Sequence, residues 1–124
     1  MTYHEAAASL ESLQRRRPKL GTETTARMLS HLGNPQAGVD CVQIAGSNGK
    51  GSTTRLLEQA LRTTGLDVGV FTSPSLNGFR DQIRVNGTPV PKTRVTAFVE
   101  RIDPCLDRLA AADDMPTHFE VLTA

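Results

Sequence analysis

Tryptophan is absent from the 124-residue chain, and Phe and Tyr together supply only five rings. A platform that stacks nucleic-acid bases needs several exposed aromatic side chains along a basic groove, so this composition speaks against one. Excess charge of either sign is missing too: 14 Lys and Arg stand against 13 Asp and Glu, a net charge of +1. A dedicated nucleic-acid binder carries a basic surplus on one face. Two cysteines, Cys41 and Cys105, make neither a disulfide framework nor a metal-ligand cluster. No apolar run approaches the roughly 20 residues of a membrane span. The start, Met1-Thr2-Tyr3-His4-Glu5, lacks the basic and apolar regions of a signal peptide. What is present, 38% hydrophobic and 22% charged residues, is enough apolar content for a core and too little charge for a disordered chain. The expectation is a soluble cytoplasmic protein without nucleic-acid or membrane partners. The length predicts one domain or part of one.

Residues 3–16 read as a helix, with Ala6, Ala7, Leu10 and Leu13 on one stripe; Pro18 and Gly21 break it. A second helix is expected over 24–32, stopped by Gly33-Asn34-Pro35. Cys41-Val42-Gln43-Ile44-Ala45 is a short apolar run suited to a buried strand, with Cys41 a small core residue. It leads into Gly46-Ser47-Asn48-Gly49-Lys50-Gly51-Ser52 and then a helix over 52–64, with Leu56, Leu57, Ala60 and Leu61 as its buried stripe and Gly65 as its cap. Residues 68–71 form another short strand. Strand, glycine-rich turn, helix and strand make a βαβ unit, whose strands should be parallel. A polar loop follows over 72–81, then a hairpin turning at Asn86-Gly87. Residues 93–112 read as a helix with Val95, Phe98, Val99, Ile102, Leu106 and Leu109 facing in, kinked or split at Pro104. Another helix opens within 117–124. The predicted class is α/β: a mostly parallel sheet flanked by helices, a P-loop-type phosphate-binding turn and a small β-hairpin. Two parallel strands and one hairpin do not close such a core. The expectation is therefore an incomplete domain, from a larger protein or a truncated product; the alternative is a small complete domain whose sheet edge a partner caps.

A loop that grips phosphate needs backbone N–H groups pointing inward and no side chains blocking the approach. Glycines at 46, 49 and 51 meet that need, and the helix that follows adds its unpaired N–H groups and the positive end of its dipole. Lys50 supplies a mobile charge, and Ser52, Thr53 and Thr54 offer hydroxyls. The common P-loop is G-x-x-x-x-G-K-[ST]. Here Ile44 stands at its first glycine and Gly51 at its hydroxyl position.

The variant G-[ST]-N-G-K-G-[ST] after a short apolar strand resembles the ATP loop of the Mur ligase superfamily, closest to its folylpolyglutamate synthase/dihydrofolate synthase branch. Three further segments are similar to that branch in order: Phe71-Thr72-Ser73-Pro74-Ser75-Leu76, Phe79 through Gly87, and Thr117-His118-Phe119-Glu120-Val121-Leu122-Thr123-Ala124. Leu32-Gly33-Asn34-Pro35 also matches. The resemblance spans about residues 20–124.

The resemblance implies an ATP-dependent ligase that joins glutamate to dihydropteroate or to reduced folates through an acyl phosphate. ATP and Mg2+ are the implied cofactors. Residues 1–124 are implied to be the N-terminal part of the ATP-binding domain, inactive without the rest of that domain and the glutamate-binding C-terminal domain. Gly46, Ser47, Asn48, Gly49, Lys50, Gly51 and Ser52 map onto the ATP loop, and Lys50 onto the lysine that stabilises the transferring phosphoryl group. Ser73 maps onto a hydroxyl ligand of magnesium, against a plain turn serine before Pro74. Thr117 and Phe119 map onto a segment that contacts the pterin; Phe119 reads equally as a core side chain, and Glu120 as a helix N-terminal acid. Ser75 stands where many relatives have His, and Asp81 and Gln82 replace a Glu-Arg pair, so substrate choice can differ. Two rivals stay open: a nucleotide-binding module that is non-catalytic or needs a partner chain, and a peptidoglycan Mur ligase. His4, His31 and His118 lack ligand spacing and read as surface residues. Arg15-Arg16-Arg17 reads as a solvated helix end, ahead of a phosphate clamp. Oligomeric state is left open.

Overall fold

The computed structural model describes residues 1–18, 20–75 and 77–124, and within them the chain divides into two units. One comprises Met1–Val39 with Lys92–Ala124, the other Asp40–Pro91.

The first unit is helical. It holds α1 (Tyr3–Ser12), extended by a 3-10 turn (Leu13–Arg15), α2 (Glu23–His31), α4 (Lys92–Ala111) and α5 (His118–Thr123). Thr2 opens α1 with a capping box: its hydroxyl accepts the Glu5 N–H, and the Glu5 carboxylate accepts the Thr2 N–H at 2.6 Å. On α4 the buried side chains Val95, Val99, Ile102, Leu106 and Leu109 recur at spacings of four and three, which keeps them on one face. That face packs with Ala6 and Leu10 of α1, Met28 of α2 and Val121 of α5 in the core. Phe98, expected to face in, is half-buried. Pro104 does not split α4, which runs unbroken through it. Polar ties fix the packing. Arg101 Nη2 donates to the Leu32 carbonyl at 2.8 Å, Thr24 Oγ1 donates to Asp114 Oδ1 at 2.8 Å, and Arg27 pairs with Asp114.

The second unit holds α3 (Lys50–Arg62), β1 (Gly69–Phe71), a 3-10 turn (Phe79–Gln82), β2 (Ile83–Val85) and β3 (Thr88–Pro89). Asn86 and Gly87 both have positive φ, 49° and 82°, as the type I′ turn between β2 and β3 requires. α3 ends at Arg62 with Thr63 as its cap residue; Gly65, expected as the cap, is left-handed at φ 83° in the turn that follows.

The sheet corrects the sequence reading. Among the described residues it is three-stranded, antiparallel throughout, in the order β1-β2-β3. The expected parallel pair does not form. Residues 41–45 carry no strand, Val42 is 69% exposed, and Cys41 is exposed instead of buried. The physical reason is that a strand exists only beside a second row of N–H and C=O groups. β1 pairs with β2 along one edge, and the Thr72 N–H to Gln82 carbonyl bond extends that pairing; β1 ends the strand order, and among the described residues 41–45 form no ladder along its other edge. The stripe predicted for α3 is likewise uncovered. Leu56 is 69% exposed, Ala60 is exposed, and Leu57 and Leu61 are half-buried. The polar loop expected over 72–81 contains a 3-10 turn that buries Phe79 and, at its end, Gln82. Leu76, part of one matching segment, lies outside the described residues.

Candidate functional site

The glycine-rich turn ends in a helix start. Gly46 and Gly49 have φ of 152° and 74°, values that exclude most side chains, and Gly49 is the residue from which α3 departs. The first bond of α3 runs from the Thr53 N–H to the Gly49 carbonyl at 2.9 Å. The N–H groups of Lys50, Gly51 and Ser52 precede that bond and have no partner within the helix. No described side chain caps them. A Cβ at Gly46, Gly49 or Gly51 would meet nothing within 4 Å, so open space stands over the turn. Ser47, Asn48, Lys50 and Ser52 are exposed. The Lys50 carbonyl accepts the Thr54 hydroxyl at 2.7 Å, so that hydroxyl is used inside the helix. Amides, a helix N-terminus and one ammonium group form an arrangement that fits an anionic polyphosphate. Ser73 is exposed in the turn after β1, in the same unit. Among the described residues no group of three or more His, Cys, Asp or Glu side chains is poised for a metal.

Thr117 and Phe119 belong to the other unit. Thr117 opens α5 with a second capping box. Glu120 Oε2 accepts the Thr117 N–H at 2.8 Å and its hydroxyl at 3.1 Å, and Thr117 Oγ1 accepts the Glu120 N–H at 3.3 Å. Glu120 is thus held as a helix-start acid. Phe119 is 52% exposed and is not a core side chain. Both residues line a cavity of about 720 Å³ whose walls include Leu13, Pro18, Thr22 and Arg16. His118 shares this wall and its Nδ1 lies 2.8 Å from the Leu10 carbonyl oxygen. A carbonyl only accepts, so that nitrogen carries the proton. The sequence reading missed this cavity. Its walls come from residues about 100 positions apart, and the one signal for it was the Thr117–Phe119 segment. It also missed Glu58 and Arg84, whose Oε1 and Nε are buried without a hydrogen-bond partner among the described residues.

No protein-family model matches the chain. Its backbone is similar to that of the solved folylpolyglutamate synthetase from Lactobacillus casei, with a TM-score of 0.89 and 32% identity over 99% of this chain and 31% of that one. A solved FPGS-AMPPCP-folate complex aligns equally well, at TM-score 0.89 over 99% of this chain and 30% of that one. The fold is therefore that of a folylpolyglutamate synthetase segment. A probable bifunctional folylpolyglutamate synthase/dihydropteroate synthase of Halobacterium salinarum is 52% identical over 125 residues, covering all of this chain and 15% of that protein. The chain belongs to the folylpolyglutamate synthase/dihydrofolate synthase family of the Mur ligase type and is similar to its N-terminal portion. It spans less than a third of the length of these relatives.

Proposed function

We propose that this chain is the ATP-binding N-terminal portion of a ligase that joins glutamate to dihydropteroate or to folates. The observation that carries the reading is the uncapped first turn of α3, entered through left-handed Gly49 and bearing Lys50. The complex of a relative with AMPPCP and folate supports it.

A substrate carboxylate and a triphosphate repel each other, so joining them needs cations and N–H dipoles around the phosphates. ATP, when bound, would supply the phosphoryl group that turns the carboxylate into an acyl phosphate with release of ADP, and the amine of glutamate would then attack the acyl carbon and release phosphate. The chain's own residues hold and neutralise. The N–H groups of Lys50, Gly51 and Ser52 receive phosphate oxygens, with Gly46 to Asn48 shaping the approach. The Lys50 ammonium sits against the oxygens that gain charge. Magnesium, when bound with the nucleotide, would need few protein ligands, and the Ser73 hydroxyl is the one that would hold it. Phe119 offers a flat apolar face to the pterin, beside Thr117. The 124-residue chain on its own binds nucleotide without completing the ligation, and its setting is the cytoplasm.

Titration of the chain with Mg·AMPPCP tests the reading. Lys50→Ala is expected to weaken binding by roughly 10- to 100-fold, the worth of a hydrogen bond to a charged group. Equal affinity in the two proteins, or none in either, overturns it.

A further inference from the structure

We propose that Arg16 selects pterins carrying a second carboxylate, so that the cavity of the helical unit favours folates already bearing glutamate over dihydropteroate. The proposal rests on the reading of that cavity as a pterin site.

Three observations carry it. First, the cavity is two-faced. Leu13, Pro18 and Phe119 give it apolar walls, and Arg16 is the one permanent cation among its described lining residues. Second, that cation is uncommitted. Its backbone N–H bonds to the Leu13 carbonyl, but its guanidinium makes no hydrogen bond or ion pair with any described residue. Third, the acid that shares the cavity is occupied elsewhere. Glu120 Oε2 takes both the N–H and the hydroxyl of Thr117, and no ion pair joins Glu120 to Arg16. An apolar slot with a spare fork of N–H donors suits a flat ring system with an anionic tail.

The reaction decides which anion that is. The carboxylate to be activated must stay accessible to the phosphate donor, and one clamped by a guanidinium is a poor nucleophile. Dihydropteroate has a single carboxylate, which is the reacting one. A pteroylglutamate has two on its terminal residue, so one can be held while the other reacts. Arg16 therefore acts on the held carboxylate, as a specificity-determining contact.

Equilibrium titration of the chain with pteroate and with pteroylglutamate tests this, following Phe119→Ala, Arg16→Gln and Arg16→Lys variants alongside the parent. The parent is expected to prefer pteroylglutamate about fivefold, the upper range for an exposed ion pair. Arg16→Gln should bind the two ligands equally, and Arg16→Lys should keep part of the preference. In about 1 M salt, where the screening length falls to ~3 Å, the parent's preference should vanish. An Arg16→Gln protein that retains the preference overturns the proposal while the pterin site stands, provided Phe119→Ala weakens both ligands. Failure of both ligands to bind the parent, or indifference of both to Phe119→Ala, removes the pterin site and this proposal with it.

Discussion

At Gly51 the backbone is helical, and a Cβ would meet no atom within 4 Å. At Gly49, two residues earlier, φ is 74°. The two glycines therefore answer to different demands. Gly49 is needed by the chain itself, because a side chain in the left-handed region costs about 1–2 kcal/mol. Gly51 is not needed by the chain, and a helix gains roughly 0.5–1 kcal/mol from alanine over glycine. Gly51→Ala is thus expected to raise the melting temperature of the chain while weakening AMPPCP binding, because its methyl group enters the space proposed for phosphate. Gly49→Ala should lower both. Thermal melts paired with nucleotide titrations separate these outcomes; a Gly51→Ala protein with undiminished affinity removes the steric part of the argument.

The long helix α4 carries a consequence of its own. Glu100, Asp103 and Asp107 recur at spacings of three and four and share a face. Burial, then the charges of Asp107 and Glu100, push the Asp103 carboxyl above its usual 3.8. A raised carboxyl pKa means that the ionised group is worse placed in the folded chain than in the unfolded one. The penalty is complete above the raised value and disappears below the ordinary one. Asp103→Asn should therefore stabilise the chain near neutral pH and give no gain below about pH 3.8, as melting curves across that range would read. The helices were legible in sequence because spacing alone sets which side faces in; Val95, Val99 and Ile102 need no knowledge of a partner. The hairpin was legible because Asn-Gly is a local demand of its turn. The strand at 41–45 and the stripe on α3 were not, because apolar residues announce a wish to be covered without naming the cover. Among the candidate functional residues the same line divides Lys50 and its glycines, contiguous in sequence, from Arg16, which lines one cavity with Phe119 only through the fold of the helical unit.

Across the whole molecule, burial is uneven. Of the described buried apolar side chains, only Val68 and Phe79 belong to the unit over Asp40–Pro91. The helical unit holds the rest, including fully buried Ala6, Met28, Val99, Ile102 and Val121. Local opening is easiest where few apolar contacts must be broken. Hydrogen exchange followed by mass spectrometry should find the amides of α1 and α4 protected long after those of residues 40–48 and α3 have exchanged. Comparable protection in both sets contradicts the expectation.

The turn at Asn86-Gly87 bears on how the protein ages. Asparagine followed by glycine is the pair at which a chain deamidates most readily, the glycine nitrogen closing on the side-chain amide to form a succinimide. Here that amide is engaged at both ends: Oδ1 accepts the Val68 N–H at 2.8 Å, and Nδ2 donates to Asp67 Oδ1 at 3.0 Å. Ring closure must first break both bonds, so the folded hairpin shields its own weakest chemical point. Once hydrolysed to aspartate, the residue loses its donor and faces Asp67 with like charge, and the damage loosens the same bonds that had delayed it.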